Sequence, residues 1–168
     1  MSLSMYLASV PVFQRQLGAL SNVLAKGEAH AAARKIDPSV LIQMRIFPDM
    51  FPLSKQVQIA TDAAKGAVAR LAGVEPPTFE DTEATFDQLK DRCARTIAFI
   101  GGFRPDQIDG TEEKEIVLPM RSTTLTLKGQ AFLLGLSMPN FYFHVTTTYN
   151  ILRHCGVELS KRDFLNMS

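Results

Sequence analysis

From Leu3 to Leu24 an apolar side chain returns at every third or fourth position: Leu3, Leu7, Val10, Phe13, Leu17, Leu20 and Leu24. No other feature of this chain limits its fold as tightly. An α-helix brings residues three and four apart onto one face, so the spacing predicts one long helix that must bury that face against neighbours. Leu53, Val57, Ala60, Ala64, Ala67 and Leu71 repeat the pattern, as do Phe86, Leu89, Cys93, Ile97 and Ile100. A fourth run leads from Leu133 and Leu136 through Asn140, His144, Thr147 and Ile151 to Gly156. Four amphipathic helices hide their stripes most simply in an all-α four-helix bundle.

The breaks between stripes follow from proline and glycine. Pro11 predicts a kink or break in the first helix, and Gly27 its exit, with some helix in Ala29 and Ala31 to Ala33. Pro38, Pro48 and Pro52 forbid one continuous helix over residues 36–53. Leu41, Ile42, Met44, Ile46, Phe47, Met50, Phe51 and Leu53 make that segment apolar enough to pack across the end of the bundle. Gly73 closes the second helix, and Asp81 or Thr82 is expected to cap the third. Between residues 113 and 128 the period falls to two: Ile116 and Leu118 alternate, as do Leu125 and Leu127, among Thr123, Thr124 and Thr126. With a turn over Pro119 to Ser122, this is a small β-hairpin before the last helix. Pro139 predicts a break between a short piece and the long last helix. Phe164 and Leu165 in the tail are expected to tuck back onto the body.

A chain of 168 residues is expected to form a single domain over 1–168 with a real core. Its net charge of +1 argues against a general nucleic-acid binder, although the middle is acidic: residues 73–115 carry eleven Asp/Glu against five Lys/Arg. Two cysteines make no disulfide framework, the N-terminus lacks a signal-peptide pattern, and no apolar run is long enough for a bilayer. A cytoplasmic protein is expected. There is no phosphate loop, dinucleotide fingerprint or nucleophile elbow.

What stands out chemically is polarity where the last helix should be greasy. Asn140, His144 and Thr147 share its inward face, and buried polar groups need partners. Two readings of His144 compete. It is a core histidine bonded to Asn140 or Thr148, or it is a metal ligand or proton carrier. Across the bundle, Gln56, Gln58 and Asp62 lie early in the second helix; Gln58 and Asp62 are one turn apart and can reach the polar face. Asn140, His144, Thr148, Gln58 and Asp62 are therefore the candidate ligand-binding residues, with His144 as the candidate metal ligand. His154 is ten residues beyond His144, roughly 15 Å along a straight helix, so the two cannot share a metal. His30 is expected in an exposed loop. Cys155 faces the negative end of a helix dipole, and Cys93 reads as core.

Asn140-Phe141-Tyr142-Phe143-His144, Ile151-Leu152-Arg153-His154 and Lys161-Arg162-Asp163-Phe164-Leu165 resemble an uncharacterised bacterial family. So does Pro48-Asp49-Met50-Phe51-Pro52-Leu53 followed by Gln56-Val57-Gln58. It is the domain-of-unknown-function family nineteen ninety-three, itself similar to the DinB/YfiT-like superfamily. The resemblance implies a DinB-like four-helix bundle, commonly dimeric, with a divalent transition metal held by three histidines. Leu152-Arg153-His154-Cys155-Gly156 matches the superfamily's ending. Counting back from it sets a histidine pair at Asn140 and His144, and the remaining histidine near Gln58 or Ile59. Only His144 is a histidine, so two of three expected ligands are absent. The resemblance therefore implies a degenerate metal site, a homodimer, and a small ligand near His144. A metal-dependent transferase or hydrolase using His144, and a non-enzymatic interaction module, are the alternatives.

Overall fold

The computed structural model describes residues 4–119 and 123–167. Its long helices are α1 (Met5–Arg34), α3 (Leu53–Ala72), α4 (Phe86–Gly101) and α7 (Met138–His154), with short helices α2 (Pro38–Ile42), α5 (Pro105–Ile108), α6 (Gly129–Ala131) and α8 (Lys161–Phe164) between and after them. An antiparallel hairpin, β1 (Glu115–Pro119) and β2 (Thr124–Lys128), precedes the last long helix. The fold is a mostly helical bundle in which α1 packs on α4, α4 on α3 and α3 on α7.

The inner stripes are where their spacing puts them. Phe13, Leu17, Leu24, Val57, Ala60, Ala64, Leu89, Cys93 and Ile100 are all fully buried. Alanines on α3 let α7 approach closely. Leu3 of the first stripe lies outside the described residues, as do Met120, Arg121 and Ser122 of the expected hairpin turn. The hairpin pairs Ile116 with Leu127 and Leu118 with Leu125, turning these four toward the body while Val117 faces out.

Several local expectations need correction. Pro11 lies inside α1 without interrupting it, because the carbonyl it leaves unpaired belongs to exposed Leu7. Gly27 is no exit either. It is a contact point: a Cβ there would sit 3.0 Å from Leu152 Cδ2 and 3.2 Å from Phe86 Cε1. His30 is consequently in α1, half-buried, and not in an exposed loop. The cap of α4 is Thr85, in a reciprocal box with Gln88; Asp81 is instead engaged by Arg92 and Lys55. In the proline-rich segment Leu41 and Ile42 pack inward, but Ile46, Phe47 and Phe51 remain exposed. In the tail Phe164 folds onto Tyr149, whereas Leu165 stays exposed.

The last helix departs from expectation at its start. Between α6 and α7, residues Phe132–Ser137 form a π-helix. Pro139 has no N–H for the carbonyl four residues earlier, and a widened turn accommodates it without a break. Leu133, Ser137, Phe141, His144, Thr147, Thr148 and Ile151 are buried, so the inward face holds at His144, Thr147 and Ile151, while Leu136 and Asn140 are turned outward.

Candidate functional site

His144 is buried on α7 against α3. Its Nδ1 lies 2.6 Å from Gln56 Oε1, and Gln56 Nε2 donates to the Phe51 carbonyl at 3.0 Å. A carbonyl only accepts, so the amide nitrogen must face Phe51 and the amide oxygen must face the imidazole. Nδ1 therefore carries a proton, and the neutral ring presents its lone pair at Nε2. Burial pushes the imidazole below its ordinary range, which keeps it neutral near pH 7. Thr148 does not touch the ring: its hydroxyl donates to the His144 carbonyl at 3.0 Å. Phe143 packs edge-on against the imidazole with its other side in solvent.

Gln58 and Asp62 belong to a different network, centred on Arg92. This guanidinium is fully buried. Its Nε donates to Thr61 Oγ1 at 2.8 Å, and its Nη1 to the Glu80 carbonyl at 3.0 Å and to Glu83 Oε1 at 2.9 Å. Its Nη2 reaches Asp62 Oδ1 at 3.0 Å and Asp81 Oδ1 at 3.1 Å. Gln58 Nε2 donates to Glu83 Oε2 at 3.0 Å. Lys65 also sits on Asp62 Oδ1, at 2.9 Å, and covers the Phe79 ring, 4.0 Å from its centroid. The network ties the loop between α3 and α4 down onto both helices. Of the eleven acidic side chains between residues 73 and 115, Asp81 and Glu83 answer this buried arginine, and most of the others are exposed.

Asp62 and Asn140 meet elsewhere. Together with Arg70 and Ser137 they line an open groove of about 340 Å³, floored by Leu118, Phe132 and Leu136. The guanidinium of Arg70 lies back along α3 over Gly66, where a Cβ would be 2.3 Å from Nη1. This follows the tilt of helical side chains toward the N-terminus. The five candidates therefore do not converge: His144 pairs with Gln56, Gln58 and Asp62 join the Arg92 network, and Asp62 also meets Asn140 at the groove. Thr148 braces the backbone of α7.

The donor set tests the expected metal directly. A three-histidine centre needs three imidazoles converging on one point. Around His144 the polar neighbour is an amide, and Asn140 is turned away. Among the described residues no group of three or more His, Cys, Asp or Glu side chains is placed to hold a metal ion. The residues present do not fit that centre. The cysteines offer no nucleophile: burial pushes the Cys93 thiol up to about 12, and Cys155 is raised by burial as well.

Arg92, Arg70 and Ser137 were not singled out by sequence reasoning, and Gln56 was named on the second helix but left out of the candidate set; Arg92 and Gln56 each left a signal. Arg92 follows Leu89 by three residues and precedes Thr96 by four, so a charge lies on an inward stripe. Gln56 stands three after Leu53 and four before Ala60, on the inner face of α3. Gln58 does not share that stripe. Arg70 and Ser137 left none, since the groove forms only where the π-helix and the hairpin meet α3.

The domain of unknown function described as DUF1993 matches residues 5–165. Among solved structures, the chain is similar to a DinB family member protein from Shewanella denitrificans, at 38% identity and a TM-score of 0.90. The match covers 95% of this chain and 90% of that one. No protein with a curated description matches. Among the described residues no helix is long and apolar enough to cross a membrane.

Proposed function

The chain belongs to the DUF1993 family of unknown function, and on that footing we propose that it binds a small molecule in the groove beside α3, with no three-histidine metal centre. One observation carries this reading. Polar groups from distant segments, Asp62 and Arg70 on α3 with Ser137 and Asn140 at the π-helix junction, converge over an apolar floor in a groove of about 340 Å³. A few placed polar groups in a mostly apolar concavity is the usual make-up of a small-ligand site. The π-helix supports the reading too, because such irregular turns recur at functional sites. His144 acts beside the groove as part of the α3–α7 contact, through Gln56.

The test is a thermal-shift screen of small organic compounds on the intact protein and on Ala63→Phe, which fills the groove from α3. Ligands that stabilise the first and not the second support the reading. Equal stabilisation of both, or a stoichiometric transition metal that is lost on His144→Ala, overturns it.

A second reading is favoured by the exposed aromatics. Phe47, Phe51 and Phe143 are 61%, 54% and 57% exposed, and the last two flank the Gln56–His144 pair. A homodimer covering them would hide that apolar area. Light scattering on Phe51→Asp checks it: conversion of a dimer to a monomer supports it, and a monomeric parent protein overturns it.

A further inference from the structure

We infer that the ligand of this groove is a small organic anion, with an oxyanion head on Arg70 and an apolar body over Leu118, Phe132 and Leu136. The inference rests on the groove reading above and names the ligand class.

The argument turns on which charge in the groove is already answered. Asp62 is answered twice: Arg92 Nη2 and Lys65 Nζ both lie on its Oδ1, at 3.0 and 2.9 Å. Lys65 balances its charge, while the single charge of Arg92 is divided among Asp62, Asp81 and Glu83. Arg70 is in the opposite state. Among the described residues no carboxylate lies within ion-pair distance of it; Glu75 shares a neighbouring groove with it but makes no such pair. A planar guanidinium offers a fork of N–H donors matched to carboxylate or phosphate oxygens.

Arg70 is also positioned. Its Nη1 occupies the space above Gly66 that any side chain would fill. Glycine lets the guanidinium lie back along α3 toward Asp62, at the boundary between this groove and the neighbouring one that Gly66 lines; Asp62 and Arg70 border both. Ser137 and Asn140 add a hydroxyl and an amide on the opposite wall, both able to donate to the same head. The apolar floor then favours an anion that carries a hydrocarbon body over a bare inorganic ion.

The experiment titrates the intact protein by calorimetry with four probes of one shape: benzoate, phenyl phosphate, benzamide and benzylammonium. Three variants accompany it. Arg70→Gln removes the charge. Gly66→Ala keeps the charge but displaces it, while raising helix propensity, so the variant folds. Ala63→Phe fills the groove. Benzoate or phenyl phosphate is expected to bind about tenfold or more tightly than the neutral and cationic probes, the scale of a charge-assisted contact. Arg70→Gln and Gly66→Ala are both expected to erase that margin. The ratio of the two anions tells a carboxylate head from a phosphate head. If benzamide or benzylammonium binds as tightly as the anions, is lost on Ala63→Phe and ignores Arg70→Gln, the anion class is overturned and the groove stands. Unchanged anion binding in Gly66→Ala overturns the placement of Arg70. If no probe binds, or binding ignores Ala63→Phe, the groove reading falls and takes this inference with it.

Discussion

Replacing Arg92 by methionine tests whether this bundle is organised around a buried charge. Methionine keeps most of the volume and removes every donor. The side chain of Glu83, only 5% exposed and 2.9 Å from Nη1, would remain as a buried carboxylate without its main partner. Breaking a buried pair in this way costs about 3–5 kcal/mol. Asp62 and Asp81 are 45% and 36% exposed, so solvent screens them and each adds at most about 1 kcal/mol. A loss of about 4 kcal/mol is expected at pH 7, or a fall in Tm of roughly 12 °C for a chain of this size. Urea unfolding measures it, with an unchanged m-value as the sign that the native state is otherwise intact. Adding Glu83→Gln should return at least about 2 kcal/mol of coupling in a double-mutant cycle. A loss below about 1 kcal/mol, or a coupling near zero, would refute the view that Arg92 and Glu83 pin the loop between α3 and α4.

Three further outcomes are expected. Gly129→Ala should cost about 2–3 kcal/mol in denaturant unfolding, because its Cβ would fall 2.0 Å from the Thr111 carbonyl oxygen, which is backbone and has no rotamer to escape to. Asp163 is held down to about 2, first by its bond from Lys26 at 2.5 Å and then by the Ser160 backbone. The stability from this depressed acid is present above its unfolded pKa and fades as pH falls from about 4 to 2, so acid unfolding curves of Asp163→Asn should lack that component. The proton of His144 should reside on Nδ1 in nitrogen-15 spectra of the neutral ring, and Gln56→Leu should release that preference. Because burial lowers the folded pKa of His144, the unfolded state binds more protons just below pH 6.5. Its contribution is complete above that pH and declines as pH falls, a slope that His144→Gln should remove.

Much of the bundle is legible in the chain because helical burial is periodic. The α3 stripe from Leu53 to Leu71, the Gly73 stop, and the alternation around Ile116 and Leu125 each encode their element locally. The site is less legible, for two physical reasons. Spacing puts Asn140 one turn from His144 on the same face, yet in the first turn of α7 that face opens onto the groove and leaves Asn140 exposed. The partners of polar side chains also come from far along the chain: Gln56 lies eighty-eight residues from His144, and Glu83 twenty-five from Gln58. Spacing names the face on which a side chain lies, but not what stands opposite.

The sequence by itself therefore determined that four amphipathic helices and one hairpin must share a core, since each stripe carries its own period. It also determined that His144 lacks two histidine companions at the positions its resemblance implied. Only the tertiary structure decided that His144 pairs with Gln56, that Gln58 and Asp62 answer to a buried Arg92, and that Asp62, Arg70, Ser137 and Asn140 meet in one groove. Burying a stripe is a property of a segment. The pairing of a buried polar atom depends on the few ångströms between segments, and those are set only when the whole bundle closes.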